Sequence, residues 1–177
     1  MRGCACRGTA GFAHVSCLAE QAKILCDEAE ANNLGAKAWD TRFRRWCKCS
    51  LCEQEYHGVV RCALGWACWK TYLGRPETAN ARGFAMNQIG NGLYIAGHHE
   101  DALIVREAEL ATMRRNGASE SDVLSAQTNL ANSYQEMGRH EEVLQMDRDV
   151  YFGRLKLNGE QNYYTVNAAN NYAVSLV

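Results

Sequence analysis

The sequence predicts a mainly α-helical protein, in which a small cysteine-rich module precedes an α-solenoid of stacked helix pairs. Several stretches carry apolar residues every three or four positions, which places those residues on one face of a helix. The second half of the chain also contains a repeated block. Helix pairs of this size cannot bury both faces alone, so repeated pairs stack on one another.

Three helices are predicted in the first half of the chain. The first covers residues 15–32, and Gly35 or a neighbouring asparagine suits the left-handed residue that ends a helix. The second covers residues 38–46 and places three aromatic rings on one face. The third covers residues 59–73 and ends before Pro76, because a proline disfavours helical backbone in the residue before it.

Six potential metal ligands form three close pairs. The pairs are Cys4 with Cys6, His14 with Cys17, and Cys49 with Cys52. Zinc takes four thiolate or imidazole ligands in a tetrahedron, and a close pair supplies two of them at a low cost in chain entropy. One pair alone would be weak support, but three in this order predict zinc. The alternative is a set of buried free cysteines.

Charge and composition limit the other classes. The formal net charge is −1, with basic residues in excess up to residue 76 and acidic residues in excess after it. The basic residues are scattered, so we do not expect a nucleic-acid partner. The longest apolar run is interrupted by Arg61 and falls short of the roughly 20 residues of a membrane helix. No signal peptide precedes the first cysteines, so we expect reduced thiols and an intracellular, cytoplasmic location.

The repeat in the second half has a glycine at its centre. The block around Gly97 recurs around Gly138, 41 residues later, and a third copy begins near the end of the sequence. In the second copy we predict helices over residues 121–137 and 140–157, with Ser121 or Asp122 as the N-cap of the first. A glycine between them permits a tight reversal, since it adopts positive φ without a steric penalty.

The two helices of the second copy each carry an apolar stripe, and the stripes are expected to face one another. The first stripe consists of Leu124, Leu130, Ala131 and Tyr134, and the second of Val143, Leu144, Val150 and Tyr151.

This repeat resembles the tetratricopeptide repeat, in the longer form found in kinesin light chains, over residues 79–177. Arg106 and Asp147 stand where the family usually has a bulky apolar residue. The resemblance implies that protein or peptide partners bind along the concave face made by the first helices. The asparagines that would hold a peptide backbone there are Asn91, Asn129, Asn132 and Asn171. Alternatively, these asparagines are solvated or serve local turns.

The order of the metal ligands resembles the RING-CH type of zinc finger, in which two zinc ions are bound by eight ligands in a crossed arrangement. The six residues match the third to eighth ligands. The resemblance implies one complete site formed by Cys4, Cys6, Cys49 and Cys52, and an incomplete second site with His14 and Cys17. The missing first pair is expected before Met1, in a chain truncated at both ends.

The resemblances divide the chain into three parts: a partial RING-CH-like finger with a helical insertion over residues 1–58, a linking helix over 59–76, and tetratricopeptide-like repeats over 77–177, the last one truncated. They imply a zinc-binding protein-interaction module with a role in ubiquitin transfer, in which a ubiquitin-conjugating enzyme is a partner. The alternative is a non-enzymatic adaptor in which zinc is purely structural. No phosphate loop, nucleophile elbow or carboxylate pair is present in the sequence, so no catalytic residue is predicted.

Overall fold

The computed structural model describes residues 3, 4, 6 and 13–177. These residues are mainly helical, with no β-strand among them, so the predicted fold class is confirmed at this level. The helices are α1 (Val15–Ala31), α2 (Ala36–Phe43), α3 (Gly58–Tyr72), α4 (Asn80–Ile95), α5 (His99–Arg115), α6 (Glu120–Glu136), α7 (His140–Asn158) and α8 (Tyr163–Ser175), and a short 3-10 helix (Arg44–Trp46) follows α2. The chain forms two compact units, Met1–His98 and His99–Val177.

The helices begin and end close to their predicted limits. Asn33 and Gly35 both have positive φ between α1 and α2, and Gly138 has positive φ between α6 and α7. The predicted N-cap of α6 is wrong. Ser119 takes this position, and its Oγ accepts a hydrogen bond from the backbone N–H of Asp122 at 3.2 Å. The sequence offers several suitable residues in succession, and the direction in which the chain enters the helix selects among them.

The core of the first unit contains large aromatic side chains. Trp46 at the end of the 3-10 helix is fully buried against α1 and α3, together with Phe43 and Tyr72. The Trp39 ring stacks on the Phe43 ring with 4.7 Å between centroids. The aromatic face predicted for the second helix therefore lies inside the first unit, where it joins α2 to the longer helices.

Helices α3 and α4 approach one another closely through glycines. A Cβ atom at Gly65 would lie 2.7 Å from the backbone oxygen of Gln88, and one at Gly92 would lie 3.0 Å from the backbone oxygen of Arg61. The Arg61 side chain is buried in the same interface and donates to Gln88 Oε1 at 2.6 Å. The third helix thus forms part of the first unit, and the boundary predicted after residue 76 falls inside that unit.

In the second unit each helix packs against the next one in the chain. The two apolar stripes predicted for the second repeat do meet. Leu130 and Tyr134 of α6 lie in one cluster with Val143 of α7, and Leu124 lies in another with Val150. Consecutive helices joined by short turns run antiparallel, as expected for helix pairs.

Polar side chains contribute to the interior of the second unit. Arg106 of α5 is buried, and its Nη1 donates to the backbone oxygen of Asn129 (2.6 Å) and to Ser133 Oγ (2.7 Å) in α6. Asp147 of α7 is 6% exposed, and it lines the same groove as Ser175 of α8. Arg106 therefore joins α5 to α6 by hydrogen bonds, and Asp147 is a buried carboxyl of α7.

None of the described helices combines the length and the apolar character that are needed to cross a bilayer.

The approach of α3 to α4 predicts opposite effects for two glycine substitutions. Gly65→Ala should lower the free energy of unfolding by about 1–3 kcal/mol, because the new methyl group meets backbone atoms that cannot move away. Gly83→Ala, in the interior of α4 with no atom within 4 Å of its Cβ position, should raise it by about 0.5–1 kcal/mol through helix propensity. Urea denaturation at equilibrium measures both, and a Gly65→Ala variant as stable as the wild type would contradict the close approach.

The burial of Asp147 predicts a pH-dependent gain on substitution. Burial raises the pKa of this carboxyl above its usual value, so the folded state holds the proton more tightly than the unfolded state. The stability of the wild type should therefore fall as the pH rises through the window between the two pKa values. Asp147→Asn should be more stable than the wild type by about 1 kcal/mol near pH 7, and the difference should vanish at about pH 3.5. The exposed Asp149→Asn in the same helix is the control and should show no such gain.

Candidate metal centre

The beginning of the described chain is fixed against the start of α3. The backbone N–H of His57 donates to the Gly3 carbonyl at 2.9 Å. A Cβ atom at Gly3 would lie 2.5 Å from the Val60 side chain, so only glycine fits at this distance. This contact places Cys4 and Cys6 beside α3.

The second pair of cysteines lies in a tight loop between the 3-10 helix and α3. Lys48 and Glu55 form an isolated antiparallel bridge, and the N–H of Cys49 donates to the Gln54 carbonyl at 2.9 Å. Glu53 takes positive φ as the chain turns back. The loop therefore holds Cys49 and Cys52 on the side that faces the first pair.

The four cysteines Cys4, Cys6, Cys49 and Cys52 form one cluster, in which all sulfur atoms lie within 4.8 Å of one another. The Cys6 and Cys49 sulfurs are 3.7 Å apart. A tetrahedral zinc ion with Zn–S bonds of about 2.3 Å requires sulfur atoms about 3.8 Å apart. The four sulfurs can therefore hold a metal ion such as zinc, with little change in position.

The cluster is shielded from water on the side of the core. Cys4 and Cys49 are each 6% exposed, and they pack with Tyr56, Val60 and Leu64 in one apolar cluster. Cys6 and Cys52 are half-buried at its edge. Such a shell excludes water from the metal ligands and holds them in position.

Hydrogen bonds favour the thiolate form of Cys49. Burial by itself raises the pKa of Cys49, but hydrogen bonds from the backbone N–H groups of Cys52 and Leu51 and from the neighbouring thiols outweigh burial and lower this pKa to about 7. The Leu51 N–H lies 3.4 Å from the Cys49 sulfur. Hydrogen bonds with the Cys52 and Cys4 sulfurs, together with burial, raise the pKa of Cys6 to about 12. A metal ion that binds here must displace protons from the cluster.

Two residues around the cluster carry no recognisable signal in the sequence. The Tyr56 side chain is buried in the apolar cluster that contains Cys49; burial, followed by the nearby cysteines, raises the pKa of its hydroxyl. Arg45 donates to the Cys49 carbonyl at 3.1 Å and forms an ion pair with Glu53 at 2.8 Å. Both residues hold the loop in place, and their roles depend on its folded shape.

His14 and Cys17 lie together at the start of α1, outside the four-cysteine cluster. The His14 Nδ1 and Cys17 Sγ atoms are 3.9 Å apart, and both residues are exposed. In the part of the chain that the structure describes, no further histidine, cysteine or carboxylate joins them. Residues 7–12, which connect this pair to Cys6, lie outside the described residues.

The remaining cysteines do not join the cluster. Cys26 and Cys68 are fully buried in the aromatic core. Cys62 is half-buried in α3, and burial raises its pKa. Cys47, only two residues before Cys49, donates its S–H to the Arg44 carbonyl at 3.3 Å.

The four predicted partner-binding asparagines have different surroundings. Asn91 lies in the first unit and donates from Nδ2 to Asn87 Oδ1 at 2.9 Å. In the second unit, Asn129 and Asn171 line a small cavity, and Asn132 and Asn171 line a larger groove. Sequence reasoning did not single out Arg154, which lines the small cavity and is buried in α7.

Comparison of the chain with protein-family models, with curated proteins and with solved structures finds no match in any of the three. The two family resemblances rest on the residues of the sequence.

Proposed function

We propose that this chain is a zinc-binding protein-interaction module, in which Cys4, Cys6, Cys49 and Cys52 bind one Zn²⁺ and the helices of the second unit bind partner peptides. The observation that carries the proposal is the group of four cysteine sulfurs within 4.8 Å of one another. A site with four protein thiolates leaves no open position for a substrate or a water molecule. The metal is therefore structural, and it stabilises the first unit.

A bound metal would cross-link two segments that no disulfide joins. It joins Cys4 and Cys6 to a loop more than forty residues away, and the nine cysteines are otherwise free thiols. Ordering two distant segments costs conformational entropy, and the free energy of metal binding offsets that cost.

The second unit offers a groove suited to an extended peptide. The groove has a volume of about 710 Å³ between α6, α7 and α8, and Asn132, Leu144, Asn171 and Val174 are among its lining residues. A carboxamide both donates and accepts hydrogen bonds, as a peptide backbone requires. Apolar side chains beside these asparagines provide area for the side chains of the peptide.

Metal analysis tests the proposal directly. The purified protein should contain about one zinc per chain and no iron. Elemental mass spectrometry should measure both metals, because a tetrahedral four-thiolate site suits either one. The double variant Cys49→Ser plus Cys52→Ser should lose the zinc and unfold at a lower temperature than the wild type, because binding free energy contributes to folding.

Cys62→Ser is the matched control, since this half-buried thiol lies outside the cluster, and it should retain the zinc. Absence of metal from the freshly purified protein would overturn the proposal. Two zinc ions per chain would show that His14 and Cys17 find other ligands, against the single-site proposal.

A second candidate is a role in ubiquitin transfer, as the RING-CH resemblance implies. One feature of the centre favours a protein partner there. Leu51 lies in the loop between two of the ligands and is 67% exposed, and Val59 at the start of α3 is 69% exposed. Exposed apolar side chains on a rigid metal-bound loop suit a contact with another protein, such as a ubiquitin-conjugating enzyme.

A discharge assay distinguishes this role from the adaptor. If the centre supports transfer, the chain should accelerate the loss of ubiquitin from charged conjugating enzymes, and Leu51→Ala should reduce the acceleration about tenfold. Leu34→Ala, which removes an exposed leucine between α1 and α2, should leave it unchanged. If the Cys49→Ser plus Cys52→Ser variant discharges ubiquitin as well as the wild type does, the ligase role is excluded and the non-enzymatic adaptor stands.

A further inference from the structure

Arg154 of α7 is a buried cation whose partners are all neutral. It is 4% exposed. Its guanidinium donates to Ser121 Oγ (3.0 Å), to the Ser121 carbonyl (3.0 Å) and to Ser125 Oγ (2.7 Å), and it lies over the Tyr164 ring at 5.2 Å. Among the described residues no carboxylate forms an ion pair with it. A buried charge without a counter-charge is costly, so this position favours an anion.

The backbone around Arg154 is held in place from both sides. Thr165 of α8 is buried and donates its hydroxyl to the Arg154 carbonyl at 3.1 Å. The two serines that accept from the guanidinium belong to the first half of α6. The side chain is therefore fixed in one direction, which lowers the entropy that a ligand must remove on binding.

Arg154 lines a cavity of about 190 Å³ between α6, α7 and α8. The polar residues that line it with Arg154 are Ser125, Thr128, Asn129, Tyr164, Asn167 and Asn171. None of the lining residues is acidic. The volume accommodates a single small anion and not an extended ligand.

The cavity also has hydrogen-bond donors that no described residue uses. A guanidinium has five N–H groups, and three hydrogen bonds are present here. The side-chain amides of Asn129, Asn167 and Asn171 form no hydrogen bond with another residue of the described chain. A fixed positive charge among free amide donors is the arrangement that an oxyanion requires.

The geometry points to an oxyanion site at Arg154, which binds one carboxylate or phosphate group between the guanidinium and the amides of Asn129, Asn167 and Asn171. The ligand neutralises the buried charge of Arg154, and its oxygen atoms accept hydrogen bonds from the unused N–H groups of the guanidinium and the amides. Two sources share this chemistry, a free anion such as phosphate and the carboxylate of an acidic side chain on a bound peptide. The site lies within the second unit and does not depend on the metal centre.

Titration calorimetry on the full chain at constant ionic strength tests the site with defined probes. The probes are inorganic phosphate and a pair of blocked tripeptides, one with glutamate and one with glutamine at the centre. We expect saturable binding of phosphate, of the glutamate peptide or of both, and none of the glutamine peptide. Phosphate binding alone identifies a free anion as the ligand, and glutamate-peptide binding alone identifies a peptide carboxylate. The absence of saturable binding by both probes overturns the site.

Two asparagine variants in α8 show whether a bound probe occupies this cavity. Asn167→Ala removes an exposed side chain that lines the cavity, so the fold should be retained, and the affinity should fall about tenfold or more, as for the loss of one hydrogen bond to a charged group. Asn170→Ala, an exposed asparagine of the same helix that does not line the cavity, should bind as the wild type does. Equal affinities of the two variants would place the anion elsewhere and overturn the proposal.

The Arg154→Lys variant provides a second measurement if circular dichroism shows that it is folded. Lysine keeps the charge but lacks the planar fork of donors, so the binding of either probe should be lost or weakened at least about tenfold. Unchanged binding by a folded Arg154→Lys variant would also overturn the assignment. Where this variant does not fold, the comparison of Asn167→Ala with Asn170→Ala decides.

Discussion

The close approach of four cysteine sulfurs is the constraint on which the first unit depends. The cluster brings Cys4 and Cys6 against the loop that carries Cys49 and Cys52, and the same segment is fixed to α3 through Gly3. Four thiols at this distance hydrogen-bond to one another, which lowers the pKa of Cys49 and raises that of Cys6. A divalent metal replaces the thiol protons with four bonds to sulfur.

The cysteine cluster and the aromatic core pack against opposite ends of α1 and α3 in the first unit. Val60 and Leu64 of α3 pack against the cysteines, while Cys68 and Tyr72 of the same helix pack in the aromatic core around Trp46. The close contact of α3 with α4 at Gly65 extends this core to the fourth helix. A structural metal would be effective here, because its four cysteine ligands would share an apolar cluster with residues of α3.

The second unit relies on buried polar groups as well as on apolar stripes. Arg106 and Arg154 lie inside contacts between neighbouring helices and form directional hydrogen bonds there, and Asp147 is buried in the same unit. Such bonds define how one helix faces the next more sharply than apolar contacts do, but each buried charge carries a desolvation cost. Burial raises the pKa of Asp147, which favours its neutral form. An oxyanion beside Arg154 would neutralise the charge of the arginine.

Local patterns in the sequence determined the helices, the glycine turns and the six candidate ligands, because periodicity and residue type depend on near neighbours. The family resemblance already implied that Cys4 and Cys6 meet Cys49 and Cys52, but only the tertiary structure brings the four sulfurs within 4.8 Å of one another. It also decides that Cys47, two residues before Cys49, donates to the Arg44 carbonyl instead. Likewise, nothing in the sequence around Arg154 indicates burial. Its environment is built by three helices, and contacts between distant segments leave no local pattern.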